Sequence, residues 1–421
     1  MLIMKLRKQF TILLIVIISM QLCACQKEEK GKETSQQEAI EKVIAIEDTE
    51  IKLEIDKAVY QKGYDLPIDK KERTEAENDC KRAMEQIRSH YEKADKGISL
   101  NVVISEQEIE KMMDTLSKSG APVSTRAFFF DMYHYERMED FLNKAASGEK
   151  ADVILYYIQS NGGIVREKFT FDGEEMYMLY TNSVWNEETK PVVTTMSYSR
   201  IREWEYTKKG WFCYELCVPV PPEVSEAVNG NNVVRVKPLK REYRETSLRY
   251  LLPIGYQGNN LFCSQWDAEH MEDLDYTGLY EYLYYMEYGE KYETEQNQKW
   301  IPQEQFEGLI MKYLPVSAEQ LRKYAVYDEE KKLYAWVKLG CGNYAPNAFG
   351  TSIPEITNIR ENKDGTSTIT VDAVCEMLGT DVVFTHELTV RFIEDGGIEY
   401  IENHISGNGR YNLPFYQKRL K

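Results

Sequence analysis

A series of strand-like segments separated by tight-turn signals constrains the fold of this chain more than any other feature. Residues 152–159, "DVILYYIQ", are apolar on both faces, which predicts a central β-strand. "SNGG" at 160–163 and Asp172-Gly173 are turn sequences of the kind that close hairpins, and the residues between them alternate in polarity. Another hairpin is predicted around 208–210. These segments predict an antiparallel meander.

Helical patterns precede the strands, and the second half repeats this order. Residues 72–97 and 135–146 predict helices, and Ser105 with Glu108 forms a capping-box sequence for a helix that stops before Gly120. In the second half, helices are predicted at 276–292 and 301–314, and strands at 332–339, 355–360, 366–377, 382–392 and 398–404. The fold class predicted is α+β, with two tandem domains that each pack helices on one face of a curved antiparallel meander. NTF2-like and cystatin-like folds have this order, by analogy.

The first residues have the organisation of an export signal. Lys5, Arg7 and Lys8 precede an apolar run at 10–22. That run is too short to cross a hydrocarbon core as a helix, which needs roughly 20 residues, and it is typical of a secretory signal peptide. We therefore expect export from the cytoplasm.

The residues that follow the apolar run resemble a bacterial lipobox. Leu22 stands three places before Cys25, and the small Ala24 stands just before it. The resemblance implies cleavage before Cys25 and a diacylglycerol on its thiol, which would hold the protein to the outer face of the cell membrane. An ordinary signal peptide or an uncleaved anchor is the alternative.

Composition and length divide the rest of the chain. The polar residues 25–48 predict a flexible tether, because they cannot bury enough surface to offset chain entropy. The remaining length favours two domains, at 49–220 and 256–405. Three prolines and an Asn-Gly pair predict a linker at 221–255, and residues 406–421 form a basic tail.

Charge and motifs exclude several functions. The formal net charge is −17, and it becomes −20 without residues 1–24, which hold three basic and no acidic groups. Such acidity argues against nucleic acid and against anionic lipid headgroups as partners. The chain has no C-x-x-C pair and no zinc-type Cys/His spacing, so no cofactor and no metal site is predicted.

The second half resembles a known group of sequences. The segments are "FEGLIMKYLPVSAEQLRKYAVYDEEKKLYAWVKLGCGNY", "ENKDGTSTITVDAVC" and "FTHELTVR", within residues 301–404. They resemble the C-terminal region of an uncharacterised lipoprotein family from gut Firmicutes. That family has no assigned activity, so the resemblance implies no catalytic residues.

The loop at 340–350, "GCGNYAPNAFG", is the candidate binding loop. Its candidate residues are Cys341, Asn343, Tyr344 and Asn347, because binding residues favour irregular loops. One hypothesis makes Cys341 a nucleophile with His386 as its base. However, His386 alternates with apolar residues along its strand, which favours a buried histidine with a hydrogen-bond partner.

The other cysteines and one motif-like tetrapeptide are interpreted structurally. Cys375 is expected to be a small core residue. A disulfide between Cys375 and Cys341 is the alternative. Cys213 and Cys217 share one face of a strand, too far apart to bond each other. Residues 147–150 fit S-x-x-K, but the partner motifs of penicillin-recognising enzymes are missing, so a turn is predicted.

Tyrosine is abundant, with 30 residues, and several lie on the helix predicted from residue 276. Tyr282, Tyr285 and Tyr292 lie off its apolar face and form a candidate aromatic surface. Core packing is the alternative.

The function predicted is that of a lipid-anchored, extracytoplasmic and non-enzymatic interaction module, attached to the membrane through Cys25 and partnering an envelope protein. A protein that binds a glycan or small ligand through its tyrosines is one alternative. A cysteine-dependent hydrolase is another.

Overall fold

The computed structural model describes residues 61–97, 102–126, 130–293, 299–340, 342–344, 346–407 and 409–420. Within them, Lys62–Lys421 forms one compact unit. The predicted lipobox residues Leu22, Ala24 and Cys25, the tether at 25–48 and the loop residue Cys341 lie outside the described residues.

The first half of the described chain begins with helices and continues as a meander, in the predicted order. Its elements are α1 Lys70–Lys93, α2 Glu106–Ser117, β1 Val123–Ser124, α3 Tyr135–Ala146, β2 Ala151–Ile158, β3 Ile164–Phe171, β4 Met176–Trp185, β5 Pro191–Tyr206, β6 Trp211–Leu216 and β7 Asn231–Arg235. Among the described residues these seven strands lie side by side in chain order. All neighbours are antiparallel except β1, which is parallel to β2. Bulges in the β4–β5 and β5–β6 pairs bend the strands and curl the sheet.

Helices cover both faces of this sheet, which corrects the prediction of helices on one face. Helices α1 and α2 pack against a set of side chains that includes Tyr156 and Ile164. Helix α3 packs against another set that includes Leu155 and Phe169. Successive residues of a strand point to opposite faces. A sheet that is apolar on both faces therefore needs two helical layers, and this half has them.

Strand β2 lies next to the edge of the sheet, so the prediction that it is central is wrong. Its inner neighbour is β3, paired along its whole length. On its outer side, the short β1 pairs with Tyr156 and Tyr157. Apolar residues on both faces indicated burial by layers above and below, and that condition says nothing about neighbours in the plane of the sheet.

The second half of the described chain also places helices before its main meander. Its elements are α4 Arg241–Thr246, α5 Tyr276–Tyr288, β8 Trp300–Pro302, α6 Gln303–Tyr313, α7 Ala318–Tyr324, β9 Tyr327–Asp328, β10 Leu333–Ala335, β11 Ile353–Glu361, β12 Ser367–Val374, β13 Thr385–Phe392 and β14 Ile398–Ile405. Strands β11 to β14 form an antiparallel sheet in chain order. Strands β8, β10 and β9 form a small separate sheet. One hydrophobic core joins α5, α6 and the larger sheet.

Two intervals outside the predicted domains have regular or anchored structure. The predicted linker 221–255 contains β7, which pairs with β6, so the first sheet extends past residue 220. The predicted basic tail 406–421 is anchored by Arg419, whose side chain is 1 % exposed. Arg419 Nη2 donates to the Gly258 carbonyl at 2.9 Å and to Glu281 Oε1 at 2.8 Å. Neither interval follows from local composition, because the contacts that order it are distant in the chain.

Charged side chains connect the two larger sheets. Lys209, in the turn after β5, places its Nζ 2.9 Å from Asp372 Oδ2 on β12. Glu355 on β11 accepts a hydrogen bond from Trp211 Nε1 at 2.8 Å and pairs with Arg235 Nη1 at 3.0 Å. Burial raises the pKa of Glu355 and lowers the pKa of Arg235. Burial therefore makes each of these charges costly to leave without its partner.

We expect Glu355→Ala to lower the free energy of unfolding by about 3–5 kcal/mol, because Arg235 would stay buried without its partner. Urea denaturation followed by circular dichroism measures this change. The control is Arg391→Ala, whose partner is Glu399 and whose own side chain is 49 % exposed. That variant should lose less than about 1 kcal/mol. Equal losses in the two variants would contradict the role of Glu355.

Candidate functional site

A cleft of about 760 Å³ opens at the edge of the first sheet, between the helices on its two faces. One wall comes from α1 and the end of α2, the other from α3, and β2 forms the floor. Its volume lies within the roughly 300–1,000 Å³ of typical ligand sites. We call this space the edge cleft.

The floor of the edge cleft is the outer edge of β2, most of which has no neighbouring strand in the part of the chain that the structure describes. Gln159 donates from its backbone N–H to the Gly163 carbonyl on the inner side, whereas the Tyr156 N–H donates outward to the Pro122 carbonyl at 3.0 Å. The register between β2 and β3 has no shift. Because bonding direction alternates along an antiparallel strand, the N–H and C=O groups of Asp152 and Ile154 also point outward. Among the described residues, β1 reaches only Tyr156 and Tyr157, so these outward groups have no strand partner.

The charges that line the edge cleft balance. They are four basic side chains and four acidic side chains: Arg82, Arg137, Lys144, Lys150, Asp79, Glu136, Asp140 and Asp152. Lys144 pairs with Asp140 at 2.8 Å. Arg137 Nη1 donates to the Gly120 carbonyl at 2.6 Å and so connects α3 to the segment after α2. The side chains that line the cleft therefore sum to a formal charge of zero, whereas the whole chain carries −17.

A buried ion pair lies beside the cleft on the α1 side. Asp79 lines the cleft, and its Oδ2 accepts from Arg166 Nε at 3.0 Å and Nη2 at 2.8 Å. Arg166 is 1 % exposed, and its Nη1 has no hydrogen-bond partner within the described residues. Burial, with the negative charge of Asp79, raises the pKa of the neighbouring Tyr156 to about 12. A tyrosine hydroxyl is already neutral at physiological pH, and this shift keeps it so at higher pH, where it can still donate a hydrogen bond.

No local sequence pattern predicts the edge cleft. The available signal was the charged run Arg166-Glu167-Lys168 inside a predicted strand, because successive strand residues point to opposite faces and a charge on a covered face needs a partner. That partner, Asp79, lies 87 residues away in the chain. Nothing in local spacing connects the two.

The predicted binding loop uses its asparagines to shape itself. Asn343 Oδ1 accepts from the Gly340 N–H at 3.0 Å, and its Nδ2 donates to the Lys338 carbonyl at 2.9 Å. Asn347 Oδ1 accepts from the Gly350 N–H at 2.8 Å. Tyr344 is half-buried. These amide groups act as turn formers, as such side chains commonly do.

The three predicted surface tyrosines do not share one surface. Tyr285 is 46 % exposed. Tyr282 and Tyr292 are partly buried and pack against the core of the second half. The Tyr292 ring lies 5.0 Å from the rings of Tyr284 and Trp336. Core packing therefore accounts for Tyr282 and Tyr292.

The thiols with described positions are buried or partly buried and free. Cys80, Cys213, Cys217, Cys263 and Cys375 are free cysteines. Cys375 is a core residue, as predicted, and its Sγ donates to the Ala348 carbonyl at 3.2 Å. The proposed disulfide between Cys375 and Cys341 involves a residue outside the described part of the chain. The S-x-x-K tetrapeptide is a turn, as predicted, with Ser147 after the last residue of α3 and Gly148 at a φ of 79°.

His386 is the buried histidine that its strand pattern predicted. It is 0 % exposed. Its Nδ1 lies 2.5 Å from Asn403 Oδ1, and its Nε2 lies 3.1 Å from the Tyr256 hydroxyl. Burial lowers its pKa to about 4. Both ring nitrogens are thus engaged, which argues against its use as a base for Cys341.

Neither a metal cluster nor a membrane span appears in the part of the chain that the structure describes. There, no group of three or more His, Cys, Asp or Glu side chains is placed to hold a metal ion. None of the described helices is both long and apolar enough to cross a bilayer.

We expect stability to fall between pH 6.5 and pH 4 in a manner that depends on His386. In this pH window the histidine binds a proton in the unfolded state but not in the folded state. Protonation therefore stabilises the unfolded state and lowers the free energy of unfolding as the pH falls. The contribution amounts to about 3 kcal/mol at most, from a shift between about 6.5 and about 4. Urea denaturation at several pH values should give a flatter profile for His386→Gln. The exposed His270 has its pKa raised by Asp267, so His270→Gln should not flatten it; parallel profiles for wild type and His386→Gln would contradict the prediction.

Comparison with known proteins places the chain in one family. A sequence profile described as "Family of unknown function (DUF6070)" matches residues 73–419. No curated protein matches the chain, and no solved structure matches it. The matched residues include the edge cleft and both larger sheets. The chain therefore belongs to the DUF6070 family, whose function is unknown.

Proposed function

We propose that this protein is a non-enzymatic interaction module that binds another protein through the edge cleft, on the outer face of the cell membrane. The observation that carries the proposal is the cleft floor, where the outward backbone groups of Asp152 and Ile154 face a space of about 760 Å³. Backbone groups of this kind are strong donors and acceptors, and they favour pairing with another chain.

The proposed location rests on the N-terminal sequence. Leu22, Ala24 and Cys25 would form the lipobox, and a diacylglycerol on Cys25 would anchor the protein. The polar residues 25–48 would hold the binding unit away from the bilayer. By analogy, the order of helices followed by a curled antiparallel sheet suits an NTF2-like or cystatin-like architecture, although the helices of the first half cover both faces of its sheet.

The side chains of the edge cleft support binding more than chemistry. Asp79 pairs with Arg166, Asp140 pairs with Lys144, and Arg137 donates to a backbone carbonyl. These groups hold one another in place, and such preorganised polar groups give orientation and specificity to a bound partner. The acidity of the chain supports a protein partner over nucleic acid.

The two alternatives have weaker support. A glycan-binding surface would rest on Tyr285 and on its exposed neighbour Tyr288, which is 58 % exposed. These two exposed rings offer contact area for a ligand. However, neither ring lines the edge cleft, the small cavity at residues 124–126 or the small cavity beside Trp211. A cysteine hydrolase would need Cys341 to find a base other than His386.

Site-specific photocrosslinking in the native cell tests the proposal. A photoreactive residue replaces Gln86, which lines the edge cleft and is exposed. A matched control carries the same residue at Tyr285, away from the cleft. We expect one envelope protein to crosslink from position 86 and not from position 285.

The anchor is tested in the same experiment. Cys25→Ala should release the protein from the membrane fraction and reduce crosslinking from position 86. Crosslinking from position 285 alone would favour the tyrosine surface. No crosslink from position 86, in a protein shown to be folded and exported, would contradict the proposed function.

A further inference from the structure

We infer that the edge cleft receives an extended segment of another polypeptide, which adds to β2 as a new strand. This inference rests on the proposed function and specifies the form of the partner. Strand addition is a known mode of peptide recognition, in which main-chain hydrogen bonds give affinity and alternate side chains give specificity.

The available edge has a defined length. Residues 151–155 of β2 pair with β3 on one side and have no strand partner on the other among the described residues. Five residues of a strand span about 17 Å at roughly 3.3 Å each. At one end of this edge, β1 already occupies the position of the neighbouring strand. The hydrogen bond from Arg137 to the Gly120 carbonyl also connects the two walls of the cleft. The incoming segment therefore pairs over about five residues and leaves the cleft before β1.

The recessed position of this edge selects a single extended segment over a folded sheet. α1 and α3 lie on opposite faces of the first sheet and extend past its edge to line the cleft. A second copy of this chain would bring its own flanking helices, which would meet these walls before the two edges came within hydrogen-bond distance. One unaccompanied strand has no such layers, so it reaches the outward groups of Asp152 and Ile154.

The walls specify alternating contacts. On the α1 side, the incoming side chains meet Ala83, Leu116 and Ile154. On the α3 side, they meet Phe141 and Val153. Alternate residues of a strand point to opposite faces. Both sets of side chains therefore meet a lining that mixes apolar and charged residues, and β-branched residues fit a pleated, half-buried surface of this kind.

Charge selects a segment with a basic excess. The chain carries −17 overall, whereas the side chains of the edge cleft balance at four basic and four acidic. The field of the whole protein attracts a cationic segment, and the cleft does not oppose it. Asp152 is exposed at the floor and has no ion-pair partner within the described residues, so it offers a position for a basic side chain.

The test uses a displayed library of random decapeptides, selected on the full chain carrying Cys25→Ala. We expect the enriched peptides to share alternating β-branched residues and a basic excess. Their affinity should fall as salt rises, because part of the attraction is electrostatic.

Two matched substitutions at one position then separate the backbone from the side chain. Asp152→Pro removes the outward N–H, and proline is tolerated on an edge strand where that group is not used by the sheet. Asp152→Ala removes the carboxylate and keeps the N–H. We expect Asp152→Pro to weaken binding of the selected peptides tenfold or more, and Asp152→Ala by about threefold or less. Circular dichroism and the urea midpoint show whether each variant is folded.

N-methylation of the peptide gives a readout that does not depend on the folding of a variant. Methyl groups on alternate peptide nitrogens should abolish binding in one register and leave it within about threefold in the other. Three results would overturn strand addition. Enriched peptides could show the apolar spacing of a helix, both methylated sets could bind equally well, or the selection could enrich no peptide. If crosslinking from position 86 still identifies an envelope protein, the interaction function stands and only the form of the partner is wrong.

Discussion

The need to bury both faces of β2 and β3 determines the architecture of the first half. Their apolar residues alternate onto two faces, so helices must cover each face, and α1 with α2 on one side and α3 on the other do so. The same helices extend past the edge of the sheet and turn that edge into the floor of a cleft. The candidate site is thus a consequence of the packing, and a change that loosens either helical layer would alter it.

Charged side chains join the two larger sheets. Because these side chains are buried or partly buried, leaving any one of them without its partner would cost free energy. Glu355 from the second sheet accepts from Trp211 and pairs with Arg235, both in the first sheet. Lys209 reaches Asp372 in the same region. Wrong relative placement would leave these charges without partners, so the cluster selects one arrangement of the sheets. The described unit, Lys62–Lys421, is compact in keeping with this connection.

Local sequence predicted the elements well where the signal was local. Turn pairs such as Asp172-Gly173 separate the observed strands β3 and β4, and the helix predicted at 135–146 has those bounds in the structure. His386 was predicted to be buried from the alternation of its own strand, and it is.

The remaining features depend on contacts between distant residues. The apolar pattern of β2 indicated that both of its faces are buried. It gave no information about which strands lie beside β2 in the sheet, so the sequence did not predict the open edge. Arg166 finds Asp79 across 87 residues, and Arg419 finds Glu281 across 138. No spacing rule predicts such pairs.

The most direct test of the open edge is amide hydrogen exchange in the free protein, read residue by residue along β2 by nuclear magnetic resonance. The inward N–H groups of Val153 and Leu155 bond to β3, whereas those of Asp152 and Ile154 face the cleft. We predict slow exchange at 153 and 155 and exchange at 152 and 154 that is faster by orders of magnitude. Uniform protection of all four amides would show that the edge is already paired, and it would contradict the account of this site.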